Sequence, residues 1–494
     1  MRTRTVVFAA ILIAVLCALP LAAKADCPAI LKFLAKKAVG VTCVQSADLR
    51  TNNAATTPSD NSITTFADGS PLPGRVGAFT PTTDRAVISN GPAPTATVVP
   101  GIQVNGWFKD DPSHEARFLL RFPDNWNGKL VVAGASGTRG EFNGDFAWSD
   151  YVVSQGYAYA SQNKGALNFY LPANGQADPL ACRLNPSSAT YVHFYDNDPQ
   201  EPFTGWTQYM VKATVLAQKA IRVNYQRSPQ RTYAVGTSNG GYQVRRVLEA
   251  APKLYDGGVD WEGTFIDPRG PNILIDLPPA IRNFPHYMAS KFDANSQAYK
   301  NILAAGYPPD IVNPSVTPAD SLWKRYADSF WEVTACQWQK RFDPAYDTYR
   351  GGLDKYDYLS RLQVPGLLRR VQAVATTGKI GKPLITVAGT MDALLPTDRG
   401  ARAYEARVLA YRKEPDKSPA YRLYEVQNGN HIEAYVNLFP QLAVIQPHAQ
   451  HAFDLLVNYV ENHAPLPESQ CIPKGGSISQ NPAQRGHCAN LFVP

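Results

Sequence analysis

The stretch "RTYAVGTSNGGYQVRRVLEAA", residues 231–251, contains the pattern that decides the fold. A short apolar run leads into Gly-Thr-Ser-Asn-Gly-Gly, and a segment with helical spacing of apolar residues follows. Residues 236–240 therefore match G-x-S-x-G, with Ser238 at the centre. A nucleophile on a tight strand-to-helix turn needs small residues two positions before and after it. This context favours Ser238 as a nucleophile over the alternative, a small polar residue in a glycine loop.

Strand and helix patterns alternate on both sides of this turn. Apolar runs typical of strands lie at 102–108, 115–122, 128–135, 382–389 and 420–428. Helical spacing marks 206–226 and 448–463, and 151–162 indicates a short helix followed by a strand. This alternation predicts the α/β class. With the glycine turn it indicates an α/β-hydrolase, with a mostly parallel sheet and helices on both faces.

The partners of the serine should follow in the order acid, then histidine. Asp392 comes directly after the apolar run at 384–389, at the carboxyl end where acids of α/β sheets gather. The alternative for Asp392 is an Asx-turn residue. His431 follows the next candidate strand, in a loop with Asn and Gly. We therefore predict Ser238, Asp392 and His431 as a catalytic triad.

The other histidines fit this role less well. His448 and His451 lie on the terminal helix and can be interpreted as a metal pair. A solvated helix face is favoured, because no acidic third ligand or HExxH pattern accompanies them. We therefore predict no metal site. The remaining histidines precede Asp392 or lie near the C-terminus: His114, His193, His286, His463 and His487.

A triad of this kind predicts acyl transfer through a covalent intermediate. His431 would take the proton of Ser238, Asp392 would orient the imidazole, and water would cleave the acyl-enzyme. The oxyanion needs two donors. We expect one to be the N–H of Asn239 and the other to come from the loop after an early strand, at Ser136 or Gly137.

Other residues are candidates for the pocket around the triad. Lys164, Trp261 and Glu262 each follow a predicted strand end, where substrate contact or a structural role is expected. The segment 264–376 interrupts the alternation. We predict a lid insertion there, and a separate helical domain is the alternative. Its aromatic residues fall in one helical run: Trp323, Tyr326, Phe330, Trp331 and Trp338.

The N-terminus predicts export. Residues 1–25 carry basic residues, an apolar run and a small-x-small end, which is typical of a signal peptide; an uncleaved anchor is the alternative. No second apolar stretch approaches a membrane span. Without residues 1–25 the chain keeps 45 basic and 41 acidic residues, a net charge of +4. This small excess does not indicate a basic surface for binding nucleic acid. We expect a secreted or periplasmic protein.

Six cysteines remain in the mature chain, an even number that suggests disulfides. Cys27–Cys43 and Cys471–Cys488 would be local pairs, which leaves Cys182–Cys336 by elimination among 15 possible connectivities. The predicted organisation has five parts. They are a signal peptide (1–25), a loop-rich N-terminal wrap (26–101), the first part of the core (102–263), the lid insertion (264–376), and the second part of the core with a disulfide-stapled tail (377–494).

Several motifs resemble the tannase and feruloyl-esterase family of α/β-hydrolases. They are "LRFPDNWNGKLVVAGASG" (120–137), "SQGYAYASQNKG" (154–165), "APKLYDGGVDWEG" (251–263), "VNYVENHAPLP" (457–467) and the early "CPAILKFL". The resemblance covers the core and not the lid, and implies a lid-bearing serine esterase. Thr237 and Ile432 stand where that family has a bridged cysteine pair. "ASGTRG" and "NKG" are also similar to 3-hydroxybutyrate oligomer hydrolases.

The sequence therefore predicts an exported serine carboxylester hydrolase. We expect aromatic esters of the feruloyl or galloyl type as substrates, with 3-hydroxyalkanoate oligomers or polyester fragments as the alternative. Two further alternatives are a serine peptidase or acyltransferase, which would use the same triad, and a non-catalytic secreted binding protein. No cofactor is expected, and the calcium-binding loop of family lids is not identifiable. The sequence predicts no nucleic-acid or membrane partner after signal cleavage, and it carries no signal for an oligomeric state.

Overall fold

The computed structural model describes most of the chain. It covers residues 26–51, 53, 56, 63–65, 69–76, 97–142, 145–172, 182–185, 188–194, 203–313, 315–316, 319–346, 351–412 and 418–494. The predicted signal peptide, 1–25, lies outside the described residues, as does part of the predicted N-terminal wrap.

One large sheet carries the functional loops. Its eleven strands, in spatial order, are β1 (Ala38–Ser46), β4 (Gly101–Phe108), β5 (Arg117–Pro123), β7 (Ala158–Gln162), β6 (Lys129–Gly134), β11 (Arg231–Thr237), β12 (Gly257–Trp261), β15 (Leu384–Gly389), β16 (Tyr421–Val426), β17 (Gln470–Ile472) and β18 (Gln484–Arg485). The seven strands from β7 to β17 run parallel, and the strands at both edges pair antiparallel. This topology confirms the predicted α/β-hydrolase class.

The helices cover both faces of this sheet. They are α1 (Cys27–Leu34), α2 (Asp145–Val153), α3 (Thr204–Tyr225), α4 (Asn239–Ala250), α10 (Ala401–Tyr411) and α11 (Gln446–Asn462). Along β6 the side chains alternate: Leu130 and Val132 pack with α1, α3, α4 and α10, whereas Val131 and Ala133 pack with α2 and α11. Each parallel strand is therefore buried on both sides, which explains its continuous apolar sequence.

The segment between β12 and β15 is mainly helical. It contains α5 (Ile273–Ala289), α6 (Gln297–Ala304), α7 (Leu322–Tyr326), α8 (Glu332–Phe342) and α9 (Leu367–Val374), with the short pair β13 (Val312–Asn313) and β14 (Asp320–Ser321). Its tryptophans share one apolar cluster with Tyr242 of α4, Met391 and Ile432. The insertion therefore has an apolar cluster that extends onto the loops at the carboxyl edge of the sheet.

Regular structure begins earlier than expected at the N-terminus. Helix α1 and the nine-residue strand β1 precede the region where the sequence first predicts strands, and β1 pairs with β4. Because β1 is an edge strand with alternating exposure, it has no continuous apolar run. A second sheet in the described residues orders β2 (Ile63–Thr65), β3 (Pro71–Val76), β8 (Asn168–Pro172), β10 (Tyr191–His193) and β9 (Cys182–Arg183).

All six cysteines after residue 25 form disulfides, in the pairs expected from the sequence. Cys27–Cys43 joins α1 to β1. Cys182–Cys336 ties β9 to α8 of the insertion, and Cys471–Cys488 closes the C-terminal segment. Within the described ranges, no helix has both the length and the apolar character that crossing a membrane requires.

Candidate active site

Ser238 occupies a strained turn between β11 and α4. Its φ is +57°, in the left-handed region that non-glycine residues rarely adopt. The turn is possible because two glycines allow backbone to pass at close range. A Cβ on Gly236 would lie 2.3 Å from the carbonyl oxygen of Gly240, and one on Gly240 would lie 2.5 Å from that of Gly134. The G-x-S-x-G spacing thus follows from packing between β6, β11 and α4.

The structure brings Ser238, His431 and Asp392 together in one hydrogen-bonded chain. Ser238 Oγ lies 3.0 Å from His431 Nε2, and His431 Nδ1 lies 2.8 Å from Asp392 Oδ2. All three residues are buried. Both distances are within the range that proton transfer and imidazole orientation require.

Asp392 is held by its own turn. Its Oδ1 accepts hydrogen bonds from the N–H groups of Leu394 and Leu395, at 2.8 and 2.7 Å. Only Oδ2 is thus directed at His431. The Asx-turn considered as an alternative for Asp392 is present, and it serves to fix the carboxylate that bonds to the imidazole.

The loop of His431 is fastened by the helical insertion. The hydroxyl of Tyr326 in α7 donates to Asn430 Oδ1 at 2.8 Å and accepts from the N–H of Ile432 at 3.2 Å. Thr237, beside the serine, accepts a hydrogen bond from Trp148 Nε1 at 3.3 Å. Thr237 and Ile432 thus make separate contacts at the positions of the family's cysteine pair.

The predicted oxyanion residues lie around the serine. Ser136 and Gly137 follow β6, Asn239 begins α4, and all three line the same cavity as Ser238. The side chain of Asn239 is held by Thr264, whose Oγ1 donates to Asn239 Oδ1 at 3.0 Å. The helix dipole of α4 adds positive potential at this point.

Lys164 does not line this cavity, and its position fits the structural role that was the alternative to substrate contact. Its side chain is fully buried behind the oxyanion loop, where Nζ donates to the carbonyl oxygen of Arg139 at 3.0 Å and approaches that of Ser136 at 3.5 Å. Burial, and then the positive charge of Arg139, hold the pKa of Lys164 well below its usual value. Lys164 therefore stabilises the loop that carries Ser136 and Arg139 through these two carbonyl groups.

A buried amide network also holds this loop, and no sequence motif predicts it. Gln162 Nε2 donates to Gln243 Oε1 at 2.7 Å, and the same oxygen accepts the N–H of Ala135 at 3.2 Å. These residues come from β7, α4 and the end of β6. Their proximity depends on strand order, which residue spacing does not encode.

The cavity beside Ser238 has a volume of about 270 Å³ and a mostly apolar lining. Trp261 lines it, as expected, together with Phe330 and Val333 of the insertion. Its other apolar residues are Ala147, Leu184, Val192, Phe194, Ile273, Leu394, Leu395, Ile432 and Tyr435. A cavity with a mostly apolar surface next to a nucleophile suits a small acyl group.

Glu262 does not line the cavity either. It lies behind His431, with Oε2 3.5 Å from Nδ1. Burial, and then the charges of Asp392 and Glu433, raise the pKa of the Glu262 carboxyl well above its usual value.

Ligand atoms of Glu262, Asp392 and His431 lie within 4.8 Å of one another, a set that a metal could use. Because the Asp392 oxygens and Nδ1 already bond to protein groups, we interpret Ser238, His431 and Asp392 as a proton relay, with Glu262 beside it.

The C-terminal part of the chain is similar in sequence to known hydrolases. The sequence model of the family described as 3HB-oligomer hydrolase matches residues 353–491, which include Asp392 and His431. The chain is 33% identical over 119 residues to the D-(-)-3-hydroxybutyrate oligomer hydrolase of Ralstonia nicotianae, and 34% identical over 125 residues to that of Burkholderia cenocepacia. These matches cover 23% and 24% of this chain and only 16% and 18% of the relatives' length.

Similar folds are found among solved structures. Feruloyl esterase B from Aspergillus oryzae has a TM-score of 0.48 and 11% identity, and the match covers 88% of this chain and 90% of that protein. Tannin acyl hydrolase from Aspergillus niger has a TM-score of 0.43 and 13% identity, with 81% and 85% covered. The chain is thus similar to both groups named in the sequence resemblance: to 3HB-oligomer hydrolases in sequence, and to a feruloyl esterase and a tannase among known structures.

Proposed function

We propose that this protein is a serine carboxylester hydrolase. The observation that carries the proposal is the hydrogen-bonded chain from Ser238 through His431 to Asp392, built on a strained elbow beside an apolar cavity. The sequence match to 3HB-oligomer hydrolases includes two of these three residues and supports ester chemistry. A peptidase would use the same triad, but neither the matched family nor the curated relatives described above are named as one.

In the proposed reaction, Ser238 Oγ attacks the acyl carbon while His431 Nε2 takes its proton. Asp392 stabilises the imidazolium, and the N–H groups of Asn239 and the loop at Ser136 and Gly137 bind the oxyanion. His431 then gives the proton to the leaving alcohol. Water, activated by the same imidazole, hydrolyses the acyl-enzyme and restores the serine.

For the substrate we favour esters of short 3-hydroxy acids, such as 3-hydroxybutyrate oligomers. The curated relatives named above act on such oligomers by name. The cavity of about 270 Å³ is also slightly smaller than the about 300–1,000 Å³ typical of small-molecule pockets. Aromatic esters are the second candidate, because Phe194, Trp261 and Phe330 line the cavity and rings pack well against rings.

The experiment is a comparison of initial rates on a matched ester panel. The panel holds p-nitrophenyl acetate and butyrate, 3-hydroxybutyrate dimer and trimer, methyl ferulate and methyl gallate. We expect wild-type turnover, and a loss of about 10⁴-fold or more in Ser238→Ala. Ser315→Ala, at an exposed serine outside the site, is the control and should keep the full rate. Equal rates in wild type and Ser238→Ala would exclude the serine mechanism.

The choice of substrate follows from the same panel. Higher kcat/KM on the hydroxybutyrate oligomers supports the favoured class, and higher kcat/KM on the ferulate or gallate esters overturns it in favour of aromatic substrates.

We also propose that the protein works outside the cytoplasm, because its three disulfides persist in oxidising compartments. Detection of the folded protein in a periplasmic or culture fraction tests this.

A further inference from the structure

His431 Nδ1 faces two carboxyl groups. Asp392 Oδ2 lies 2.8 Å from it and Glu262 Oε2 lies 3.5 Å from it. A triad needs one acid at this nitrogen. The second carboxyl comes from a different strand, β12, which lies between the strand of the serine and the strand of Asp392. The relay described above does not use it.

The backbone aims Glu262 at this position. Its φ is +53°, in the left-handed region that is unfavourable for a residue with a Cβ atom. Its N–H nevertheless continues the sheet by donating to the carbonyl of Val387 at 2.8 Å. Its Oε1 accepts the N–H of Gly389 at 3.2 Å, which anchors one side of the carboxyl and turns Oε2 toward His431.

Glu262 Oε2 is buried without a hydrogen-bond partner among the described residues. The side chain is only 1% exposed. A buried polar atom left unpaired is destabilising. Strained backbone and an unpaired buried carboxyl at one residue, next to the reacting imidazole, indicate a functional role.

Burial and the neighbouring charges together favour the protonated form of Glu262. Burial raises its pKa most, Asp392 and Glu433 raise it further, and the N–H of Gly389 and the indole of Trp261 offset this only in part. Glu433 is itself held by the N–H groups of Ile445 and Gln446. The other titratable groups near the relay are the hydroxyls of Tyr307 and Tyr326, which burial keeps neutral. Two carboxyls this close do not both ionise readily, so Glu262 carries the proton.

We propose that Glu262 is a second acid of the triad, a positioning residue that stays neutral beside Asp392 and takes over His431 Nδ1 when Asp392 is absent. The inference rests on the proposed serine mechanism. Removing Asp392 removes the largest charge that opposes ionisation of Glu262. The carboxylate formed there then lies close enough to orient the imidazole and to stabilise its protonated form.

The test compares Asp392→Ala with the double variant Asp392→Ala/Glu262→Gln. Glutamine keeps the oxygen that accepts from Gly389 and cannot become charged. We expect kcat/KM for p-nitrophenyl butyrate to fall about 100-fold in Asp392→Ala and about 10⁴-fold in the double variant, the loss typical of a triad without its acid. Glu262→Gln alone should lower kcat/KM far less than the double variant does, because Asp392 still orients His431 Nδ1. Glu468→Gln, an exposed residue, is the matched control in both backgrounds.

The pH profile separates a relay role from a structural one. The residual activity of Asp392→Ala should require an ionised Glu262. Its kcat/KM should therefore rise with pH as Glu262 ionises, and the double variant should show no such rise. In the otherwise native enzyme, Glu262→Gln should leave the acidic limb of kcat/KM in place, because a neutral group replaces a neutral group. Equal loss in the single and double variants, or an acidic limb moved to lower pH by Glu262→Gln, would overturn the proposal.

A second readout keeps this test separate from the proposed function. The rate at which a fluorophosphonate probe labels Ser238 depends on an activated serine and not on the natural ester. If no ester on the panel is hydrolysed, the proposed function fails, and the labelling rates of the same four proteins still decide the role of Glu262. If Asp392→Ala does not fold, the acidic limb of the kcat/KM–pH profile of Glu262→Gln decides the role of Glu262.

Discussion

The hydroxyl of Tyr326 donates a 2.8 Å hydrogen bond to Asn430 Oδ1, and the same hydroxyl accepts from the N–H of Ile432. These two residues flank His431 in the chain. Tyr326 lies in the insertion and is fully buried. The position of the imidazole therefore depends on an element outside the α/β core, which couples the insertion to the relay directly.

This contact predicts the effect of Tyr326→Phe. The change leaves a buried amide oxygen and a buried N–H without their partner, so we expect the free energy of unfolding to fall by about 1–3 kcal/mol. Because the His431 loop loses its anchor, kcat should fall about tenfold with little change in KM. Steady-state kinetics and thermal melting on the same preparation measure both effects.

Tyr358→Phe is the matched control for this prediction. The hydroxyl of Tyr358 donates to the carbonyl of Pro268 at 2.8 Å, also within the insertion but without contact to the His431 loop. It should lower stability and leave kcat unchanged. If the two variants have the same kcat, the insertion does not position the histidine.

Gly236→Ala tests the packing that creates the elbow. The new Cβ would overlap backbone atoms of Gly240, at 2.3 Å from its oxygen and 2.4 Å from its carbon. Backbone atoms cannot relieve such an overlap by a change of rotamer, as a side chain can. We expect either no folded protein or folded protein with kcat/KM lowered by about 100-fold or more, since small misplacements of a nucleophile have effects of this size. Gly400→Ala is the control, because its Cβ would meet only an ordinary 3.4 Å contact. Circular dichroism and esterase rates distinguish the two variants, and a fully active Gly236→Ala protein would contradict this account.

The parts of the fold and site that sequence predicted are those with a local signature. The strands of the parallel core are continuous apolar runs, and the three residues of the relay were proposed from one glycine motif and from the order of strand ends. The edge strand β1 has no such run. The role of Glu262 and that of Lys164 depend on which strands are neighbours and on positive φ values at Lys164 and Glu262, which one sequence does not reveal.

Lys164→Met tests the support of the oxyanion loop. Methionine fills a similar volume and removes the donor to the carbonyl groups of Arg139 and Ser136. We expect kcat to fall about 10- to 100-fold, somewhat less than the 10²–10³-fold that follows loss of an oxyanion donor itself. KM should change less than about threefold, because the apolar cavity is untouched. Lys253→Met, at an exposed position, is the control; a rise in KM alone would show that Lys164 acts in substrate binding instead.

The insertion also contains a half-buried acid that links its stability to pH. Asp310 accepts the N–H of Trp323 at 2.8 Å, and the hydroxyls of Ser321 and Tyr287 also lower its pKa by hydrogen bonding. Burial raises the pKa of Asp310 to about 7, from 3.8. Between these two values the folded protein binds more protons than the unfolded chain, so stability falls as the pH rises from about 4 to about 7 and is constant above that range.

Asp310→Asn should remove this dependence. The amide oxygen can still accept from Trp323, and the side chain is neutral at every pH. We expect the variant to match the wild type near pH 4.5 and to be the more stable protein at pH 8, by at most about 4 kcal/mol. Asp328→Asn, an exposed acid of the same insertion, should give no such divergence. Urea or thermal unfolding of all three proteins at both pH values measures the difference, and parallel stability curves for Asp310→Asn and wild type would mean that Asp310 is already ionised in the folded protein.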